Sequence, residues 1–258
     1  DEGNVLSIGK DLYLLQYKDV EAAQKAYVRY TTYDNVQFVA PDVAVEAAGS
    51  EDGADGGEAD DPDAEGAQES DTEAPAANLS TLDEDAAAIA DAAAEDKRTV
   101  VVIDTAVRSD ARVTDRLSVV NDAQADEPAN GHGQAMLDAF WGEVDKASES
   151  GEAQYPADQI QVISIEALDD SGWGSAASVY AALELAAAAK PDVVNMSFAG
   201  WNTDANAAIA EGIVLIQEQC PGAALVAAAG NQGVDVANVV PASLPGVIAV
   251  GACDENGE

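Results

Sequence analysis

The chain of 258 residues has room for one or two domains of roughly 150 residues each, and its 47% hydrophobic residues suffice to bury at least one sizeable core. Its charged fraction, 23%, is ordinary, but 49 Asp and Glu stand against 11 Lys and Arg; a net charge of -38 repels phosphate backbones and anionic headgroups, which argues against a nucleic-acid binder or a peripheral membrane protein. Two cysteines exclude a disulfide scaffold, and no apolar run approaches the roughly 18 residues of a membrane span.

The chain opens on Asp1 instead of a Met followed by a signal peptide, so its N-terminus is expected to be trimmed or processed. A strand-like apolar run comes first, with Leu12, Tyr13, Leu14, Leu15 and Tyr17. A helix is expected from near Asp19, carrying Val20, Ala23, Tyr27 and Val28 at helical spacing, and then a second strand from Val36 to Val45, broken by Pro41. A β-α-β piece of about 45 residues is too small to rely on folding alone and is expected to pack on something. From Glu51 to Glu73 eleven residues are Asp or Glu and none is Lys or Arg, and between Val45 and Leu79 there is no Val, Ile, Leu, Met or aromatic residue. Such a segment has nothing to offset the entropy of ordering, so residues 47 to 78 read as a disordered, self-repelling linker. The expected division is 1–46, 47–80 and 81–258.

Beyond Leu82, nearly continuous apolar runs at Thr99 to Ile103, Ile160 to Ile165, Val193 to Met196, Ala223 to Ala228 and Val247 to Val250 read as strands covered on both faces. Between them, Ser175 to Ala189, stopped by Pro191, and Asp204 to Gln217, ending before Pro221, have helical spacing. The alternation predicts an α/β fold, a doubly wound parallel sheet, whose chemistry sits beyond the carboxyl ends of the strands.

Asp104 follows the first of these runs, and a carboxylate there suits a phosphatase, a nucleotide-binding domain or a protease. His132, the one histidine of the chain, lies in Asn130-Gly131-His132-Gly133-Gln134-Ala135-Met136 before a helix; it is either a surface or capping imidazole or, since flanking glycines allow close approach, a general base. Asn231, in Gly230-Asn231-Gln232-Gly233, either caps a turn or donates to a developing oxyanion. The stretch after Val193, leaving through Ser197 and small residues, offers an edge that an extended peptide can pair with.

Taken together, Val102-Ile-Asp-Thr105, Asn130-Gly-His-Gly133, Val194-Asn-Met-Ser197, Ala227-Ala-Ala-Gly-Asn231 and the stretch Pro241 to Ala252 resemble, in order and spacing, the subtilisin-like serine proteases over about residues 98 to 258. The resemblance implies a Ser-His-Asp endopeptidase in which Asp104 is the orienting acid, His132 the general base and Asn231 the oxyanion donor. It also implies that Ser197, Phe198 and Ala199, with Ala228, Ala229 and Gly230, cradle the substrate chain and line its specificity pocket. Asn35 to Val45 resembles the last strand of the family's propeptide, so residues 1–46 are expected to act as a partial prodomain in cis, folding and inhibiting the enzyme. The family's nucleophile, in a Gly-Thr-Ser-Met/Ala motif, has no counterpart here; only 27 residues follow Asn231, and Ser175 and Ser243 lack that context. The chain is therefore expected to be a fragment of a longer, exported or secreted protease zymogen.

Two positions depart from the family pattern: Gln134-Ala135 stands where Thr-His is common, and Ala199 where a glycine is common. The first is expected to alter hydrogen bonding around His132, the second to narrow specificity. Calcium is common in the family, but no D-x-[DN]-x-[DN]-G pattern names ligands for it, and no other cofactor is expected. Cys220 and Cys253 fall at opposite ends of parallel strands and are expected as free thiols. The expected partner is a polypeptide substrate. The alternative reading is an inactive protease-fold scaffold used for binding; a phosphate-binding α/β enzyme lacks any glycine-rich phosphate loop.

Overall fold

In the computed structural model the described residues are 4–7, 13–16, 44–48, 77–92, 96–109, 112–121, 124–203 and 206–253. Short strands β1 (Asn4–Ser7), β2 (Tyr13–Gln16) and β3 (Ala44–Ala47) come first. Helix α1 (Leu82–Ala92) precedes β4 (Arg98–Asp104), β5 (Asp115–Ser118), α2 (His132–Ser150), β6 (Ile160–Glu166), β7 (Trp173–Ser175) and α3 (Ala176–Ala188). The described chain then runs through β8 (Val193–Met196), β9 (Phe198–Trp201), α4 (Ala207–Gln219), β10 (Ala224–Ala228), β11 (Val239–Val240) and β12 (Val247–Val250).

The apolar runs form one parallel sheet, in the order β5, β6, β4, β8, β10, β12. Strand β4 is buried from Thr99 to Asp104, as its unbroken apolar sequence demands. Alternate residues of the strands serve the two faces. Val101, Ile103, Ile163, Ile165, Val194, Met196 and Leu225 join the main core with α3 and α4, whereas Val100, Val102 and Val162 pack with Leu137 and Trp141 of α2. Helix α3 is buried nearly all round and begins in a capping box, Ser175 and Ser178 each bonding the other's backbone N–H. It lies so close to α4 that a Cβ on Gly212 would stand 2.6 Å from Leu183 Cδ1.

The chain builds outward from β4 in both directions, with β6 on one side and β8 on the other. The carboxyl ends of β4 and β8 thus flank the point where strand order reverses, the usual location of a ligand crevice. There a second, antiparallel sheet is laid down in the order β11, β9, β3, β7. Residues Trp173 to Ser175 are one of its strands, and the anticipated pairing edge after Ser197 is β9, pairing with β3. Strand β2 pairs antiparallel with β1, which sequence reading did not anticipate. The helix expected from Asp19 lies outside the described residues, as does most of the strand expected from Val36; the strand that is described starts at Ala44 and continues to Ala47. Most of the expected linker is also outside them, but its ends are placed: Ala47 is buried in β3, and Ala77 is buried against Ala177 and Tyr180. Both cysteines are free.

Candidate active site

Asp104 ends β4 fully buried, and its Oδ1 accepts from the Thr105 backbone N–H at 2.7 Å and from His132 Nδ1 at 2.7 Å. His132 is the first residue of α2, its backbone N–H held by Asn130 Oδ1 at 2.9 Å. The glycine after it is required by packing. A Cβ on Gly133 would fall against the Thr105 carbonyl oxygen and 3.2 Å from Asp104 Oδ1, and the Gly133 N–H instead donates to Thr105 Oγ1 at 2.9 Å. Gln134, at one of the unusual positions, is buried; its Oε1 accepts from the Arg108 N–H at 3.0 Å and its Nε2 donates to Asp138 at 2.8 Å, tying α2 to the loop after β4.

The other ring nitrogen, Nε2, faces the Ala48 carbonyl oxygen. Ala48 directly follows β3, which is clamped between two walls. On one side Ala44, Val45 and Glu46 pair with Ser175, Gly174 and Trp173; on the other Glu46 and Ala47 pair with Ala199 and Phe198. The Ala48 N–H donates to the Ser197 carbonyl at 2.9 Å and the Ala47 N–H to that of Gly172 at 2.9 Å. Of the residues singled out from sequence, His132, Ser197, Phe198 and Ala199 therefore meet one extended segment, with Asp104 behind the imidazole. Ala228, Ala229 and Gly230 are half-buried at the end of β10, and Asn231 is exposed on the loop beyond.

That loop reaches the same segment through a residue the sequence did not mark. Gly230 turns the chain at φ +90°, Gln232 folds back so that its Oε1 accepts from the Asn231 N–H at 3.0 Å, and its Nε2 donates to Glu46 Oε1 at 2.8 Å. The wall from Gly172 to Ser175 was missed too, because a strand of three small or aromatic residues has no period to read. Beside the site an apolar cavity of about 710 Å³ opens over the sheet, lined by Val100, Val102, Phe140, Val193, Ser197 and Val226 among others.

The electrostatics follow from burial and pairing. Asp104 holds the His132 pKa above its usual 6.5, against the lowering effect of burial, and the Ala48 carbonyl adds to the rise. Burial pushes the Asp104 carboxyl up, opposed by its bonds to His132 and Thr105, and burial likewise raises Glu46. An acceptor at each ring nitrogen calls for a proton on each, so this arrangement favours the imidazolium. Among the described residues no group of three or more His, Cys, Asp or Glu converges as a metal site, and no helix is long and apolar enough to cross a membrane.

A profile of the subtilase family, peptidase S8, matches residues 95–258. The chain belongs to the subtilases. It is 30% identical over 161 residues to a thermostable alkaline protease of Halalkalibacterium halodurans, covering 62% of this chain and 42% of that one. With the cuticle-degrading serine protease of Orbilia oligospora it shares 31% over 176 residues, 61% of this chain and 36% of that one. An alkaline serine protease of Corniculantispora psalliotae is 33% identical over 107 residues, 39% and 27% of the respective lengths. This chain thus spans less than half the length of these curated relatives. Among solved structures, a cold-adapted subtilisin-like serine proteinase aligns with a TM-score of 0.44 at 28% identity, covering 60% of this chain and 55% of that one.

Proposed function

We propose that the chain belongs to an exported serine endopeptidase precursor in which residues 1–48 act as a prodomain in cis, with Ala48–Gly49 as the bond to be cleaved during maturation. The observation that carries this reading is the Ala48 carbonyl on His132 Nε2, at the end of a strand gripped by backbone bonds on both sides. Bonds to the backbone accept any sequence, as a peptidase requires, and leave selection to side chains.

In this reading Asp104 fixes the proton on Nδ1 and stabilises the imidazolium, so that Nε2 is the atom that exchanges protons in the cleft. A serine hydroxyl gives its proton to Nε2 as its oxygen bonds to the Ala48 carbonyl carbon. Asn231 donates to the oxyanion, and His132 returns the proton to the Gly49 nitrogen as the peptide bond breaks. Water then releases the acyl group by the same route. In this reading the serine lies outside these 258 residues, since none of their serines stands in a Gly-Thr-Ser-Met/Ala context. Until that step completes, the docked strand is inhibitory, because it fills the track. The names of the relatives, alkaline and cuticle-degrading proteases, support a polypeptide substrate and an exported enzyme.

The test is N-terminal sequencing of the protein expressed from its full coding sequence. A new terminus at Gly49, abolished by His132→Ala, is expected; processing elsewhere, or surviving that substitution, would sink the assignment. The 258-residue chain alone should cleave no casein, and turnover that persists after His132→Ala would count against the triad.

A further inference from the structure

We infer that Gln232 is a specificity-determining residue, selecting a hydrogen-bond acceptor on the third residue before the scissile bond. The inference rests on the proposed reading of β3 as the segment bound in the substrate track, in which Ala48, Ala47 and Glu46 are the first, second and third residues upstream of the cleavage point.

The orientation of the Gln232 amide is dictated by its neighbour. Its Oε1 accepts from the Asn231 backbone N–H, which can only donate, so the other end, the NH₂ group, is the one turned to the strand. It meets Glu46 Oε1 at 2.8 Å. The fold-back is shaped by Gly230, where a Cβ would stand 2.7 Å from Gln232 Oε1. The cleft therefore presents a fixed donor to this side chain, in a partly buried setting where an unanswered polar group is costly. A carboxylate or an amide answers it, an aliphatic side chain leaves it unpaired, and an ammonium confronts donor with donor. Because the same amide braces the Asn231 peptide, recognition of the third residue is tied mechanically to the loop carrying the candidate oxyanion donor.

Amide hydrogen exchange in the complete 258-residue chain, resolved by residue, tests this without requiring turnover. The Ala47 and Ala48 amides, bonded to Gly172 and Ser197, report docking; amides of β4 and β6 report the fold. In the unaltered chain the two reporters should be protected, and free exchange there would overturn the docked-strand reading itself. With them protected, Glu46→Gln should keep protection within about threefold, while Glu46→Leu and Gln232→Leu lower it about tenfold and Glu46→Lys lowers it further, with β4 and β6 unchanged. Reporters indifferent to Gln232→Leu and Glu46→Lys would overturn the role of Gln232 and leave the docking standing. The deciding pair is Gln232→Glu, which sets two carboxylates face to face and should loosen the strand, and its combination with Glu46→Gln, which exchanges donor and acceptor across the contact. Recovery of protection in the double variant supports the proposal even if Gln232→Leu disturbs the fold; no recovery overturns it.

Discussion

His132 is the one histidine of the chain, so above the carboxylate range it dominates the pH response of the folded state. Asp104 raises its pKa over the free value of 6.5, which means that the folded protein holds the imidazole proton more tightly than the unfolded chain. The resulting stabilisation is complete below pH 6.5 and disappears as pH rises through the elevated folded value. Glu46, Glu166 and Glu184, raised by burial, act with the same sign from a lower start, near 4.5. Thermal midpoints should therefore fall between pH 6.5 and the folded pKa of His132, and fall less in Asp104→Asn, where the charge that holds the proton is gone. Equal falls in both proteins, or a His132 ring titrating below 6.5 by NMR, would refute the pairing as the cause.

Strand β3 is short and contributes only two or three backbone partners on each side, so its seating depends on the side chains it buries, Val45 and Ala47. Val45 is 1% exposed, in the main core cluster. Placing a carboxylate there without a partner opposes docking by several kcal/mol, about the scale of burying an uncompensated charge. Val45→Asp should therefore release the strand and remove the Ala48 carbonyl from Nε2. The His132 pKa should then drop from its raised value while staying governed by Asp104, and the ring should become reactive toward diethylpyrocarbonate. An unchanged titration in Val45→Asp would mean that the carbonyl contact does not influence the base.

At the scale of the molecule, a charge of -38 sets carboxylates against one another more often than against cations. Three ion pairs among the described residues, Arg98 with Asp192, Arg112 with Asp145 and Lys146 with Glu143, are exposed and contribute little. Screening should relieve more repulsion than it costs attraction. Raising sodium chloride from about 0.05 to 1 M, with the Debye length falling from over 10 Å to about 3 Å, should raise the thermal midpoint. A midpoint that falls with salt would show that attractive pairs dominate after all.

The parallel sheet was legible because strands covered on both faces must be apolar without alternation, as at Thr99 to Ile103 and Val193 to Met196, and because Pro191 and Pro221 mark where the intervening helices stop. Asp104, His132 and Asn231 each had another reading open, and it was the order and spacing of the motifs around them, resembling the subtilisin-like proteases, that marked them out. The resemblance implied that Asp104 and His132 pair, but the geometry of that pair came from the tertiary structure, where Gly133 packs against Thr105 and brings together side chains 28 positions apart. The placement of Ala44 to Ala48 needed it still more. Their partners lie at Gly172 to Ser175 and Ser197 to Ala199, far along the chain, and backbone hydrogen bonds carry no residue code by which such a pairing can be read. The direction of the Gln232 amide was likewise decided only in space, by an N–H of its own neighbour on one end and a carboxylate from the other end of the chain on the other.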